Sequence, residues 1–529
     1  MPISLRSINS HKVAFGYRLI FGYVGLFFIV AGVACLIPLI MTIFYPEEWM
    51  YAHYFYIPGL AAIVVGVGLF SLIAKRDKVQ LEKHQDSVLL VLVWLSSMLI
   101  TAIPFLLRGM SFTDAFFETT SGHGTIGLTV FDFDSDIAPH CYILFRNVIC
   151  FLGGVGLVLV VTSAISDRYG LRLYTAEGHN DKLMPNLVKS ARLILGIYSA
   201  YIVVGTLAFW LIGGMQLFDA VNHSISCVAT GGFSSRAGGL YEILTVDVAN
   251  GVTNEIGLLV RPVAIEIIAP ILMVLGATNF LLHMFIWSGK IKDFFKDGEV
   301  KTFFIMWIMF LPIMFASVYL SNIEQYDLLT SLRYSSFTFI SAITTTGFTN
   351  CPSVVALGNI SITFITFLNL FGGMAGSTAG GIKQYRILIA TKSFHWSLQE
   401  RTSSNRIVYP HNVYRFGEYK EVTEEEIHEA HSYILIYATL MFFFSIAMAL
   451  IAYGQKLQLN GEQVNFLDCI FELSNGISST GLSNGLTALK NPAINWILIV
   501  SMFAGRLELY PFYFAFIRVG KDIFRREKA

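Results

Sequence analysis

Four clusters of glycine and hydroxyl residues recur along this chain: TIGLT (125–129), TGGFS (230–234), TTGFT (345–349) and STGLS (479–483). Aligned on Gly127, Gly232, Gly347 and Gly481, each has a hydroxyl two residues earlier (Thr125, Thr230, Thr345, Ser479). Each also has a bulky apolar residue one later (Leu128, Phe233, Phe348, Leu482) and a second hydroxyl two later (Thr129, Ser234, Thr349, Ser483). A cation stripped of its water inside a membrane needs oxygen ligands in exchange. Backbone carbonyls supply them if successive residues turn them to one side, which requires the φ/ψ freedom of glycine. The candidate ligands are therefore Thr125, Ile126, Gly127, Thr230, Gly231, Gly232, Thr345, Thr346, Gly347, Ser479, Thr480 and Gly481. The bulky Leu or Phe would wedge each loop against its neighbours.

Each cluster closes an apolar run of about ten residues, too short to span and suited to re-entrant structure. Thirteen residues before the glycine, three repeats carry aspartate (Asp114, Asp219, Asp468) and the third Tyr334. Such an aspartate suits the N-cap of a short helix whose partially negative C-terminus then faces the ion. Nine before it, the first and fourth repeats share Glu118 and Glu472.

The elements that hold these loops must be membrane helices. The 529 residues are 55% hydrophobic and 14% charged, with mean hydropathy +0.62, too apolar for a soluble domain. Ten stretches read as spans: 16–45, 56–74, 87–107, 142–165, 193–213, 262–287, 303–321, 359–390 (interrupted), 432–453 and 494–517. Basic clusters alternate with acidic ones across them. Lys75, Arg76, Lys78 and Lys83 follow the second span; Lys290, Lys292, Lys296 and Lys301 follow the sixth; Arg518, Lys521, Arg525, Arg526 and Lys528 end the chain. The positive-inside rule then puts both termini in the cytoplasm. The expected fold is an all-α integral membrane protein, with four repeats of helix, pore helix and loop, and helix around one pore. Two N-terminal transmembrane helices occupy 1–80; the repeats follow at 81–170, 171–295, 296–400 and 401–529.

Several motifs closely resemble the TrkH type within the Trk/Ktr/HKT superfamily of potassium transporters. TTGF (345–348), TGGFS and STGLS are similar to its filter signatures. GGMAGSTAGGIKQYR (372–386) resembles its interruption of the third repeat's second helix, GRLELYP (505–511) its signature in the fourth repeat, and FLGGVGLVL (151–159) the stretch after the first filter. The resemblance covers nearly the whole chain, including the two N-terminal spans. It implies potassium uptake through a gated, channel-like pore in the bacterial inner membrane, with K+ at the filter residues. It also implies a homodimer with one pore per subunit and a cytoplasmic, nucleotide-binding, TrkA-like regulatory partner. The first loop departs from the family's TTTGATV: it reads GTIGLTV, with His123 just upstream.

Gly372, Gly373, Gly376, Ser377, Thr378, Gly380 and Gly381 interrupt the eighth span. Such a segment has little helix propensity and suits a movable plug below the filter, with Lys383 just beyond it. A kink made by packing is the alternative. Arg506 is a lone cation in the last span. An ionisable residue there is a functional candidate, a structural ion pair with Glu508 or a pore-helix carboxylate being the alternative. The family pattern places the matching arginine below the filter as a barrier.

Other signals carry less. GLSNG (481–485) fits the nucleophile elbow but lacks the strand before it and the helix after it. A membrane hydrolase using Ser483 stays a remote alternative, and the chain is expected not to be an enzyme. His428 and His431 stand at a helix start that Thr423 and Glu426 cap. The six cysteines are scattered and read as packing residues. With no Walker A or GxGxxG sequence, no nucleotide is expected to bind this chain, and no nucleic acid partner is implied. A sodium-conducting, or sodium- or proton-coupled, transporter of the same superfamily is the nearer alternative.

Overall fold

The computed structural model describes residues 5–71, 84–131, 133, 138–156, 187–403 and 410–527. Its helices are α1 (Leu5–Leu36), α2 (Ala52–Ser71), α3 (Gln85–Leu107), α4 (Phe112–His123), α5 (His140–Val155), α6 (Leu187–Leu207), α7 (Leu217–Val228), α8 (Pro262–Ala277) and α9 (Phe280–Trp287). There follow α10 (Gly298–Ser321), α11 (Leu328–Ile343), α12 (Asn359–Leu368), α13 (Gln384–Thr402), α14 (Glu424–Gly454), α15 (Phe466–Ser478), α16 (Pro492–Arg506) and α17 (Tyr510–Glu527). A few single-turn helices join them, and a hairpin pairs Asn412–Arg415 (β1) with Glu418–Glu421 (β2). The all-α membrane architecture read from the sequence is the one observed.

Among the described residues six helices are long and apolar enough to cross a membrane, and two bent pairs raise the number to eight. Two expected spans need correction. Segment 262–287 is two helices at 114°, because Asn279 starts a new helix, its side chain accepting from Leu281 N–H. Segment 494–517 is broken between α16 and α17, where Glu508 and Leu509 take left-handed backbone (φ 59° and 50°). Hydropathy runs straight through both bends, so periodicity could not locate them. The break in 359–390 falls where expected, between α12 and α13. The end of 142–165 lies outside the described residues, as do the basic residues Arg168, Arg172 and Lys182 that follow the fourth span.

The chain forms two compact units. One comprises Met1–His123, Phe131–Leu195 and Arg506–Ala529; the other comprises Gly124–Val130 and Gly196–Gly505. In the first unit, α1 and α2 pack antiparallel through glycines seven apart on each. A β-carbon on Gly25 would sit 2.6 Å from Gly66 O, and one on Gly32 2.6 Å from Gly59 O. Such close approach of small residues is how helices associate where lipid offers no hydrophobic drive. Phe55, Phe105, Phe131, Tyr142 and Phe145 form the core beside them. Inside it Arg146 Nε donates to Glu118 at 2.6 Å, both side chains being almost fully buried. In the second unit, α10, α11 and α12 enclose a core of Phe303, Met306, Met314, Phe339, Ile365 and Leu368.

Candidate ion-conduction site

The short helices α4, α7, α11 and α15 have 12, 12, 16 and 13 residues. At 1.5 Å per residue that is roughly 18–24 Å, short of a ~30 Å hydrocarbon core. The aspartates do not cap them as expected. Ser111 and Asn465 are the capping residues, and Asp114 and Asp468 stand three further on: Asp468 closes a capping box with Asn465, while the Asp114 carboxylate accepts from the Ser111 hydroxyl. Asp219 takes the same third place after Gln216, and α11 is capped by Asp327, whose side chain accepts from Thr330 N–H at 3.0 Å. One-residue differences in cap position depend on local φ/ψ, which spacing does not report.

At their other ends three of these helices close alike. Thr230 N–H donates to Cys227 O at 3.1 Å and Gly231 N–H to Ser226 O at 2.8 Å. The same pair of bonds runs from Thr345 to Ala342 and Thr346 to Ser341, and from Ser479 to Gly476 and Thr480 to Asn475. This is the Schellman termination, which puts one residue into left-handed backbone, usually glycine. Here that residue is Thr230 (φ 51°), Thr345 (φ 53°) or Ser479 (φ 60°), and Thr125 (φ 52°) matches them in the first loop. A non-glycine residue so placed costs about 1–3 kcal/mol. Sequence reasoning missed this because the position carries no glycine.

Two residues on, Gly127, Gly232, Gly347 and Gly481 are again at positive φ (92°, 67°, 89° and 79°). The second unit holds all four turns, and they form a closed ring. A β-carbon on Gly127 would lie 2.6 Å from Gly231 O. One on Gly232 would strike Thr346 O, one on Gly347 Thr480 O, and one on Gly481 Ile126 O. Each glycine thus faces the carbonyl of the next repeat, and the fourth returns to the first. The Gly232 position also lies 3.5 Å from Ile126 O, so carbonyls of opposite repeats approach one glycine and the ring is narrow. Around it Thr125, Ile126, Thr230, Thr345, Thr346, Ser479 and Thr480 are buried, while the four central glycines regain partial exposure. The Ile126 and Leu128 side chains of the divergent first loop are buried too, and Ile126 still contributes its carbonyl to the ring. A ring of carbonyl oxygens of this kind can replace a cation's hydration shell.

Glycines in the second helices let the short helices end close by. A β-carbon on Gly153 would strike His123 O, one on Gly276 Val228 O, and one on Gly505 Ile477 O.

The interrupting segment 372–381 is tied against these turns in the second unit. Thr378 Oγ1 donates to Gly276 O (2.9 Å) or Val228 O (3.1 Å) and lies 3.1 Å from Thr230 Oγ1. Gly380 N–H donates to Thr345 Oγ1 at 2.9 Å, and a β-carbon on Gly380 would strike Ser478 O. Gly372 O accepts from Gln384 Nε2 at 2.8 Å, Gly376 O from Phe280 N–H at 3.1 Å, Met374 O from Ser377 Oγ at 2.6 Å and Ala379 O from Lys383 Nζ. Gly373 and Gly381 pack so tightly that β-carbons there would strike Ala379 and Gly372. Asn279 Nδ2 donates to Ala375 O, and Ala375 N–H donates to Glu299 Oε1 at 2.7 Å. Glu299, buried at the start of α10, also meets Arg415 of the β1–β2 hairpin at 3.3 Å. Sequence reasoning did not single out Asn279, Glu299 or Arg415; a carboxylate at the start of an apolar helix was the available signal.

In the first unit Arg506 Nη2 donates to Gly153 O, and the guanidinium lies 5.9 Å from the Trp94 ring centroid. Ser483 Oγ donates to Glu472 at 2.7 Å, and a helix rather than a strand precedes it, unlike a hydrolase elbow. His431 Nε2 lies 3.1 Å from Ser393 Oγ, and the described residues contain no His/Cys/Asp/Glu group able to hold a metal. All six cysteines are free and buried.

Comparison with known proteins gives a consistent result. The family model TrkH, described as cation transport protein, matches residues 53–524. The Trk system potassium uptake protein TrkH of Salmonella typhimurium is 30% identical over 448 residues, covering 82% of this chain and 86% of that protein. TrkG of Escherichia coli K12, also named a Trk system potassium uptake protein, is 28% identical over 489 residues (90% and 92%). An uncharacterized cation transporter of Methanocaldococcus jannaschii is 29% identical over 490 residues (91% of each). Among solved structures, the potassium transporter TrkH from Vibrio parahaemolyticus superposes with TM-score 0.75 at 24% identity, covering 94% of this chain and 98% of that one. That likeness shows the fold.

Proposed function

Because the chain belongs to the TrkH family of cation transport proteins, we propose that it takes up potassium through the ring of four glycine turns, acting as a selectivity filter. The observation that carries this reading is the closed order of carbonyls and glycines from four repeats. Successive residues alternate between left-handed and ordinary backbone, which turns their carbonyls to the same side. The names of the relatives from Salmonella and Escherichia point to the same ion. Segment 372–381 serves as the gate: it lies against three of the four turns and has to move for ions to pass. Lys383 anchors its end, and Arg506 adds a positive barrier. The transporter works in the bacterial inner membrane with both termini cytoplasmic, as a homodimer under a TrkA-like nucleotide-binding partner.

The deciding experiment is flux of K+, Rb+ and Na+ into proteoliposomes, for the wild type and for serine at each central glycine. Preference for K+ and Rb+ over Na+, eroded in the serine variants, supports the filter. Equal Na+ uptake in the wild type would favour the sodium-conducting alternative. Unchanged preference in all four variants would remove these residues from the filter.

A further inference from the structure

The strand leaving each turn must be held, or the ring could widen. In the second repeat His223, nine residues before Gly232 and fully buried, has Nδ1 2.9 Å from Asp219 O and Nε2 3.0 Å from Ser234 Oγ. A carbonyl facing Nδ1 fixes the proton there, so Nε2 accepts from the serine hydroxyl. Ser234 Oγ in turn accepts from Arg236 N–H at 3.0 Å. The fourth repeat builds the same device from a different residue. Glu472, nine before Gly481, accepts from Ser483 Oγ at 2.7 Å, while Ser483 Oγ accepts from Gly485 N–H at 3.0 Å. Glu472 also accepts from the backbone N–H groups of Asn484 (3.0 Å) and Thr487 (3.1 Å).

A second rung lies one helical turn earlier. Asp219 accepts from Ser235 Oγ at 2.6 Å, and Asp468 from Asn484 Nδ2 at 3.4 Å. Residues four apart share one helix face, so the short helices of the second and fourth repeats each grip the outgoing strand twice. The third repeat has no such ladder: Thr338 stands at the equivalent place with its hydroxyl buried and unpartnered, and Tyr334 replaces the aspartate. The ring order makes the second and fourth repeats opposite one another. The His223 ring also stacks on Phe348 of the third loop, with centroids 5.4 Å apart.

We propose that His223 and Glu472 are positioning residues for ion selection: through Ser234 and Ser483 they fix two opposite turns, and so the width of the carbonyl ring. This rests on the filter reading above. The third turn is held instead from the segment 372–381, through Gly380 and Thr345.

The test measures K+ against Na+ flux ratios and maximal K+ flux in proteoliposomes. Ser483→Ala and Ser234→Ala, each removing one oxygen, are expected to lower the K+/Na+ ratio about tenfold. Glu472→Ala on the Ser483→Ala background is expected to cost less than the sum of the two separate effects, since the Ser483–Glu472 link is lost in both while the Asn484 and Thr487 bonds are lost only with Glu472. Glu472→Gln, which keeps an acceptor, restores part of the ratio, and Thr338→Val leaves it unchanged. A residue that only supports folding would lower maximal flux and leave the ratio alone. If Glu472→Ala does not insert, the two serine variants decide by themselves. Wild-type ratios in both serine variants, or full additivity with Glu472→Ala, overturn the proposal, provided that Gly481→Ser still lowers the ratio. If Gly481→Ser also keeps the wild-type ratio, the filter reading fails and the proposal with it.

Discussion

Removing the Glu299 carboxylate should open the pore. Glu299 Oε1 accepts the Ala375 amide at 2.7 Å, the one acidic tie on a segment otherwise held by neutral and lysine hydrogen bonds among the described contacts. A hydrogen bond to a charged group contributes about 1.5–3 kcal/mol. Since 1.4 kcal/mol is tenfold in a population, Glu299→Ala should raise the displaced fraction of the segment roughly 10- to 150-fold. Basal flux without any partner should rise at least tenfold. The same change breaks the buried Glu299–Arg415 pair, at 3.3 Å, and breaking a buried pair costs about 3–5 kcal/mol of stability. The companion variant is therefore Glu299→Leu with Arg415→Leu, which removes both charges and the stability loss while still freeing Ala375 N–H. Rb+ uptake into proteoliposomes, normalised to inserted protein, reads both. Unchanged or reduced flux in both, with K+/Na+ preference as in the wild type, would refute the gate.

Serine at any central glycine must adopt φ of 67–92° and displace a neighbouring carbonyl; with about 1–3 kcal/mol of strain, K+/Na+ preference should fall about tenfold or more in ion-competition uptake. Arg506→Ala should increase flux without changing that preference, which single-ion uptake curves will show. Arg146→Ala breaks the buried Arg146–Glu118 pair, so thermal unfolding in detergent should reveal a loss of about 3–5 kcal/mol. Flux through the purified chain alone should not respond to added nucleotide; a response without a partner protein would contradict the proposed division of labour.

The four turns were legible because their signal is local: hydroxyl, glycine, bulky residue and hydroxyl within five positions, repeated four times. The break at 372–381 was legible for the same reason, five glycines where a helix should continue. The left-handed Thr125, Thr230 and Thr345 were not, since a β-branched residue argues against that conformation until tertiary contacts impose it. The bends at 278–279 and 507–509 were hidden inside apolar runs. The Glu299–Ala375 tie joins residues 76 apart in sequence, and no periodicity links them. His223 escaped notice because its repeat partner is a glutamate; comparison of roles, not residue types, would have paired them.

The ring of turns has a sense of rotation, from Gly127 to Gly231, Gly232 to Thr346, Gly347 to Thr480 and Gly481 back to Ile126. A pore assembled from four identical subunits would have one joint copied four times, and any mutation would arrive in all four at once. Here every joint is a different pair of residues encoded separately in one gene. A change at one glycine is felt first at the oxygen of the following repeat, one step round in a fixed direction. Evolution can therefore retune a single coordinating oxygen while three stay as they were, a freedom open to a pore whose quarters are covalently strung together and unlike.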